Sequence, residues 1–119
     1  MSPRWGPTAG GGSVVELESI DGYPQKVEDC YGRGSQFVYI LQLFDGRWYI
    51  GQTKAPKRRV VEHARGRHAC PDFVKRYPPV AVESVIEFET RSRALERETE
   101  IAEAFAHYYG ESRVHGGGL

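Results

Sequence analysis

Phe37-Val38-Tyr39-Ile40-Leu41-Gln42-Leu43-Phe44-Asp45-Gly46-Arg47-Trp48-Tyr49-Ile50-Gly51 is the stretch that decides the fold. Both arms are rich in β-branched and aromatic side chains, which suit a half-buried pleated surface. Asp45-Gly46 between them is a turn signal, so the segment reads as a β-hairpin. Loop length sets which side chains meet. A two-residue Asp45-Gly46 loop pairs Gln42 with Tyr49 and sends Tyr39 to the opposite face. A three-residue loop, Phe44-Asp45-Gly46 with Gly46 in the left-handed region as a G1 bulge, pairs Leu41 with Tyr49 and puts both tyrosine hydroxyls on one face. The three-residue form is expected, because a site shared by the two tyrosines requires it. Tyrosines in strands are otherwise packing residues more often than chemical ones.

Downstream of the hairpin, Thr53 to Pro56 carries helix-start chemistry, with Pro56 at an early helical position. A helix from about Pro56 to Arg65 is expected. His68 to Pro71 breaks it, Asp72 to Tyr77 makes a short second helix, and Pro78-Pro79 ends that one. Val80 to Phe88 reads as a strand with Val82, Ser84, Ile86 and Phe88 on one side. Ser92 caps a last helix that runs to about Tyr109, where Gly110 stops it. The order is β-β-α-(α)-β-α. It predicts an α/β (α+β) fold, a small antiparallel or mixed three-stranded sheet flanked by helices.

Upstream, residues 1–36 differ from the rest. Gly10-Gly11-Gly12, Gly32-Arg33-Gly34 and three prolines suggest a flexible or loosely packed arm with a short strand at Val14-Val15-Glu16-Leu17, followed by a domain over 37–119. The 119 residues suffice for one core. No apolar run approaches the roughly 18 residues of a membrane span, and Met1 to Ser13 lacks the apolar region of a secretory signal. With only two cysteines, Cys30 and Cys70, a reducing cytoplasm is the expected location.

Net charge is zero, but its distribution is uneven. From Arg47 to Arg76 nine basic residues stand against two acids, a net of +7, while from Glu83 to Glu103 seven glutamates stand against three arginines. A basic surface beside an acidic one suits phosphate binding next to a metal, and it also suits two solvated helix faces of opposite sign. On a wheel of about 100° per residue, Ala94, Leu95, Ile101, Ala102 and Phe105 fall within about 60° of Glu98. Glu98 therefore lies in the apolar stripe, while Glu96, Glu100 and Glu103 lie opposite. A carboxylate placed there requires a partner: an arginine, a metal, or water at the edge of a cleft. Arg59 and His63, four residues apart, share one helix face. The guanidinium offers bidentate phosphate recognition, and the imidazole beside it can donate to an oxyanion or relay a proton. Taken alone, the pair also fits a solvated basic face.

These pieces in this order resemble the GIY-YIG nuclease superfamily. Phe37-Val38-Tyr39 stands where the first motif often has Gly-Ile-Tyr, and Tyr49-Ile50-Gly51 is the second motif intact. Arg59 falls eight residues after that Gly, with His63 four later, and Ala94-Leu95-Glu96-Arg97-Glu98 matches the late helix that carries a metal-binding Glu. The tail Val114-His115-Gly116-Gly117 is similar to the ending of small stand-alone members. The likeness covers about Phe37 to Gly117. The chain departs from it in lacking the first Gly and in containing no Asn. Many members place an Asn near the C-terminus, and Arg113 is the residue expected in its place.

The resemblance implies a metal-dependent endonuclease that hydrolyses phosphodiester bonds in DNA. In that reading Glu98 holds Mg2+, with Mn2+ as a substitute. Tyr39, rather than Tyr49, is the general base or water-positioning group, its pKa lowered by Arg59 and the metal. Arg59 holds the scissile phosphate, and His63 assists. Lys54, Lys57, Arg58, Arg65 and Arg67 are the candidate contacts to flanking DNA phosphates. A single site cuts one strand, so double-strand cleavage would call for a homodimer or two events. Three other readings fit parts of the sequence. One is a GIY-YIG-like domain with weak or no catalysis that binds nucleic acid or a protein partner. A second is a zinc site from His63, His68, Cys70 and Cys30, whose spacing matches no common zinc pattern. A third is an α/β domain with no nucleic-acid role.

Overall fold

Antiparallel pairing of Gln36–Leu43 (β1) with Arg47–Thr53 (β2) builds the centre of the molecule. The computed structural model describes residues 15–28, 36–67 and 70–116. Leu43 pairs with Arg47 and Leu41 with Tyr49, so the loop is the three-residue Phe44-Asp45-Gly46. Both Asp45 and Gly46 take positive φ, 66° and 67°, so the left-handed backbone expected of Gly46 extends to Asp45. Aspartate tolerates that region better than bulkier residues do.

Pro56–Ala64 (α2) follows β2 with Pro56 in its first turn. Thr53 Oγ1 accepts from the Ala55 N–H at 3.0 Å and closes the connection. Asp72–Arg76 (α3) and Pro79–Phe88 (β3) come next, then Arg91–Tyr109 (α4). Thr90, not Ser92, caps α4, because its hydroxyl is the one that accepts from the Arg93 N–H, at 3.1 Å. Gly110 ends the helix with φ at 103°.

The sheet has four strands, not three, in the order β3-β1-β2, then Val114–Gly116 (β4). β4 lies parallel to β2, pairing Trp48 with Val114, Tyr49 with His115 and Ile50 with Gly116. The expected alternation in β3 is also interrupted. Ile40 pairs with Ser84 but Leu41 with Val82, so the register shifts at Glu83. The bulge divides the expected row. Val82 and Val85 join the core on one face of the sheet, and Phe88 packs on the other.

Two apolar layers result. On one face Tyr39, Leu41 and Leu43 pack with Val60 and Ala64 of α2, Val74 of α3 and Cys70. On the other, Val38, Ile40, Trp48 and Ile50 pack under Ala94, Ile101, Ala102 and Ala106 of α4. The α4 stripe is narrower than the wheel implies, since Leu95 is 51% exposed. Residues 15–28 depart from the picture of a loosely packed arm. Ile20 and Val27 are buried in the first layer, each burial worth roughly 1.5–3 kcal/mol. Asp21 bonds to the outer edge of β3 through Val80 O and the Val82 N–H. The expected strand at 14–17 gives way to a 3-10 turn at Leu17–Ser19 and a short helix at Gln25–Glu28 (α1). Val14 and both glycine-rich runs lie outside the described residues. No helix among the described residues is long and apolar enough to cross a membrane.

Candidate active site

Tyr39 and Tyr49 share one face of the hairpin, with ring centroids 6.0 Å apart. Gly51 makes room for them. A Cβ there would lie 2.6 Å from the Tyr39 hydroxyl and 2.9 Å from the Tyr49 ring, so the small residue of the second motif is a steric requirement of the pair. Tyr39 is 1% exposed and its hydroxyl lies 2.7 Å from His63 Nε2. His63, also 1% exposed, packs edge-on to Tyr49. Two polar groups buried in an apolar layer satisfy each other, which removes most of the cost of placing them there.

Arg59, one turn before His63, lies beside both tyrosines at the surface end of this group. Its guanidinium pairs with Glu62 at 3.0 Å, and Glu62 also takes Arg58 at 3.4 Å. Burial raises the Tyr39 pKa well above the ordinary tyrosine value. The neighbouring Tyr49 raises it too, and Arg59 lowers it by less. Tyr49 is raised by burial as well, with Arg59 opposing and Glu98 adding to the rise. The expectation that Arg59 would help bring the Tyr39 pKa down thus holds for its sign, but desolvation outweighs it. His63 is lowered to about 4 by burial and by the Arg59 charge, so its ring is neutral at ordinary pH.

Glu98 projects from α4, on the opposite face of the sheet from the tyrosines. It is 8% exposed and accepts from Gln52 Nε2 at 3.0 Å, while Gln52 accepts from Gln36 Nε2 at 3.1 Å. The partner that a carboxylate in the apolar stripe requires therefore includes a strand amide. β4 pairs only with Trp48, Tyr49 and Ile50, so among the described residues the Gly51–Thr53 end of β2 has no strand on its outer side. Across the sheet, the Glu98 charge adds to the rise of the Tyr49 pKa.

The donor set suits an oxygen-ligated, hydrated cation: one carboxylate backed by an amide, beside an open strand end. No group of three or more His, Cys, Asp or Glu gathers among the described residues. Of the residues weighed for zinc, His63 and Cys70 are neighbours, while Cys30 and His68 lie outside the described residues.

The basic residues divide. Lys54 and Arg58 line a cleft of about 230 Å³ with Thr53, Ala55, Arg59 and Glu62. Lys57 is exposed on the first turn of α2. Arg65 and Arg67 are exposed at the far end of that helix, about 9 Å or more along its axis from Arg59. Arg113, expected near the site, instead reaches the hairpin loop, where it donates to Asp45 O at 3.3 Å.

Three residues of this neighbourhood escaped the sequence reading as parts of a site, and a fourth, Cys70, figures there only as a zinc candidate. Gln36 and Gln52 share strand parity with Val38 and Ile50, a signal that would have placed them on the Glu98 face. Cys70 meets His63. His115 is stacked between Tyr49, at 5.8 Å, and Phe73, at 5.1 Å. No periodicity announces His115, because its strand is three residues long.

A family model described as the GIY-YIG catalytic domain matches residues 35–110. UPF0213 proteins from Staphylococcus aureus strains Mu3, Mu50 and COL are each 43% identical to this chain over 67 residues, which are 56% of this chain and 79% of each relative. No solved structure matches.

Proposed function

The chain belongs to the GIY-YIG family, whose domain carries a nuclease-type function, and from that premise we propose that it is a metal-dependent endonuclease hydrolysing phosphodiester bonds in DNA. The observation that carries the reading is the buried Tyr39–His63 contact of 2.7 Å beside a partly exposed Arg59 at the mouth of a basic cleft. A hydroxyl and an imidazole in the core, with a guanidinium at the surface, lie beside a place where a phosphate can dock.

In this mechanism Arg59 grips the scissile phosphate and stabilises the charge that builds on it. The phosphate competes with Glu62 for the guanidinium. Lys54 and Arg58 take neighbouring phosphates without reading sequence, with Lys57, Arg65 and Arg67 as outer contacts. Tyr39 accepts a proton from the attacking water while its own hydroxyl proton passes to His63 Nε2. The water oxygen forms a bond to phosphorus, the bond from phosphorus to the leaving sugar oxygen breaks, and that oxygen takes a proton from solvent. Passing the proton on suits a tyrosine that burial holds protonated, since no free tyrosinate has to exist beforehand. Phosphate charge arriving beside His63 offsets Arg59 and makes the imidazole a better acceptor. Tyr49 flanks Tyr39 and orients the water. Glu98, held by Gln52, is the residue to hold Mg2+, or Mn2+ in its place. When bound, that ion neutralises phosphate charge and stabilises the leaving oxygen.

The test is cleavage of supercoiled plasmid and of branched DNA with Mg2+ or Mn2+, wild type against Glu98→Gln. The wild type is expected to nick, and the variant to lose about 100-fold or more with its thermal midpoint unchanged. Equal silence of two folded proteins on both DNAs would replace this reading with a domain that binds nucleic acid or a protein partner without cutting.

A further inference from the structure

His63 has a second ring nitrogen that the mechanism above does not use. Nδ1 lies 3.5 Å from the sulfur of Cys70, which is 4% exposed. Two carbonyl oxygens are also in reach of that sulfur, Pro71 O at 3.6 Å and His63 O at 3.9 Å. A thiol carries one proton, and a carbonyl can only accept. With two carbonyls to receive the S–H, the sulfur lone pairs face Nδ1 as an acceptor. Burial pushes the Cys70 thiol up to about 11, so its proton is in place at neutral pH.

At the other end of the ring, the 2.7 Å contact lets the Tyr39 hydroxyl donate to an unprotonated Nε2. The Cys70 end selects the neutral His63 tautomer that carries its proton on Nδ1.

We propose that Cys70 is a positioning residue: by accepting from His63 Nδ1–H it fixes the tautomer that receives the Tyr39 proton at Nε2, and so leaves the Tyr39 lone pairs to the attacking water. The catalytic consequence rests on the nuclease reading; the tautomer does not. Without an acceptor at position 70, Nδ1–H has no partner. The ring then takes the other tautomer, Nε2–H donates to Tyr39, and the tyrosine presents a proton to the water where a base is needed.

The experiment is long-range 1H–15N spectroscopy of the 15N-labelled full chain, with the His63 signals assigned by their loss in His63→Gln. Wild type and Cys70→Ser are expected to show Nδ1–H, because a serine hydroxyl still accepts. Cys70→Val is expected to raise the Nε2–H to Nδ1–H ratio at least tenfold. In the plasmid assay Cys70→Val is expected to lower kcat about tenfold with KM unchanged, and Cys70→Ser to stay within about threefold of wild type. Should the amide spectrum show Cys70→Val unfolded, Cys70→Ala serves in its place. Nε2–H in the wild type, or an unchanged tautomer in the variant lacking an acceptor, overturns the proposal. So does a switched tautomer with unchanged nicking. A wild type that cuts neither DNA ends the nuclease reading, and the spectra still decide the tautomer.

Discussion

On the α2 face of the sheet the polar groups lie inside the core, whereas on the α4 face a single carboxylate lies at its rim. Tyr39 and His63 are both 1% exposed and are bonded to each other, with Cys70 behind them. Glu98 is 8% exposed and takes an amide from an adjacent strand, at the end of a layer whose buried apolar side chains are Val, Ile, Trp and Ala. The difference teaches where stability and chemistry are coupled. On the α2 face removing one polar group strands another in a dry place. On the α4 face the carboxylate can be neutralised while the apolar layer stays intact.

The sharpest way to break that contrast is Tyr39→Phe. Nicking is expected to fall about 10²- to 10⁴-fold, as for loss of a general base. The same change leaves His63 Nε2 without its hydroxyl donor and should cost about 1–3 kcal/mol in urea unfolding. Tyr39→Phe and Glu98→Gln unfolding at the same urea concentration would erase the distinction between the two faces.

Acid titration probes the α2 face next. His63 lies near 6.5 when unfolded and about 4 when folded, so below 6.5 the unfolded chain takes up the proton first. Stability conferred by the neutral ring is therefore complete above about pH 6.5 and lost as pH falls towards 4, a change of about 3 kcal/mol. Urea unfolding at about pH 7 and about pH 4.5 should show a smaller acid loss in His63→Gln than in wild type by that order. An identical loss in both would mean that the ring is not held neutral by the core.

The smallest effect belongs to the surface between the two faces. Lys54→Ala is expected to weaken DNA binding uniformly across sequences and to lower the slope of log affinity against log salt by about 1. Cleavage of DNA already bound should stay the same. A change in the cutting step instead would move Lys54 from the cleft wall into the chemistry.

Local physics made much of this legible in the chain itself. Three loop residues between Leu43 and Arg47 place two tyrosines on one face, because a strand alternates every residue. Helical periodicity singles out Glu98, and the spacing of Arg59 and His63 puts them one turn apart. Other features have causes that lie far away in sequence. Val114–Gly116 is too short to show any period and is a strand only because β2 offers it an edge. The Glu83 bulge exists in the pairing of β3 with β1, not in β3 alone. Leu95 lies outside the buried stripe because what α4 packs against sets the width of that stripe, which a wheel does not contain. Val15, Ile20 and Val27 read as parts of an arm until the α2 face gives them a surface to cover.

The sequence by itself determined the hairpin, the four helical or strand segments after it, and which candidate residues share a face. Each follows from steric and periodic rules that act over a few neighbours. Only the tertiary structure decided that Tyr39 is buried against His63, that Cys70 stands behind the ring, that Gln52 holds Glu98, and that Arg113 turns away to the hairpin loop. Those depend on desolvation and on distances between elements that only packing brings together.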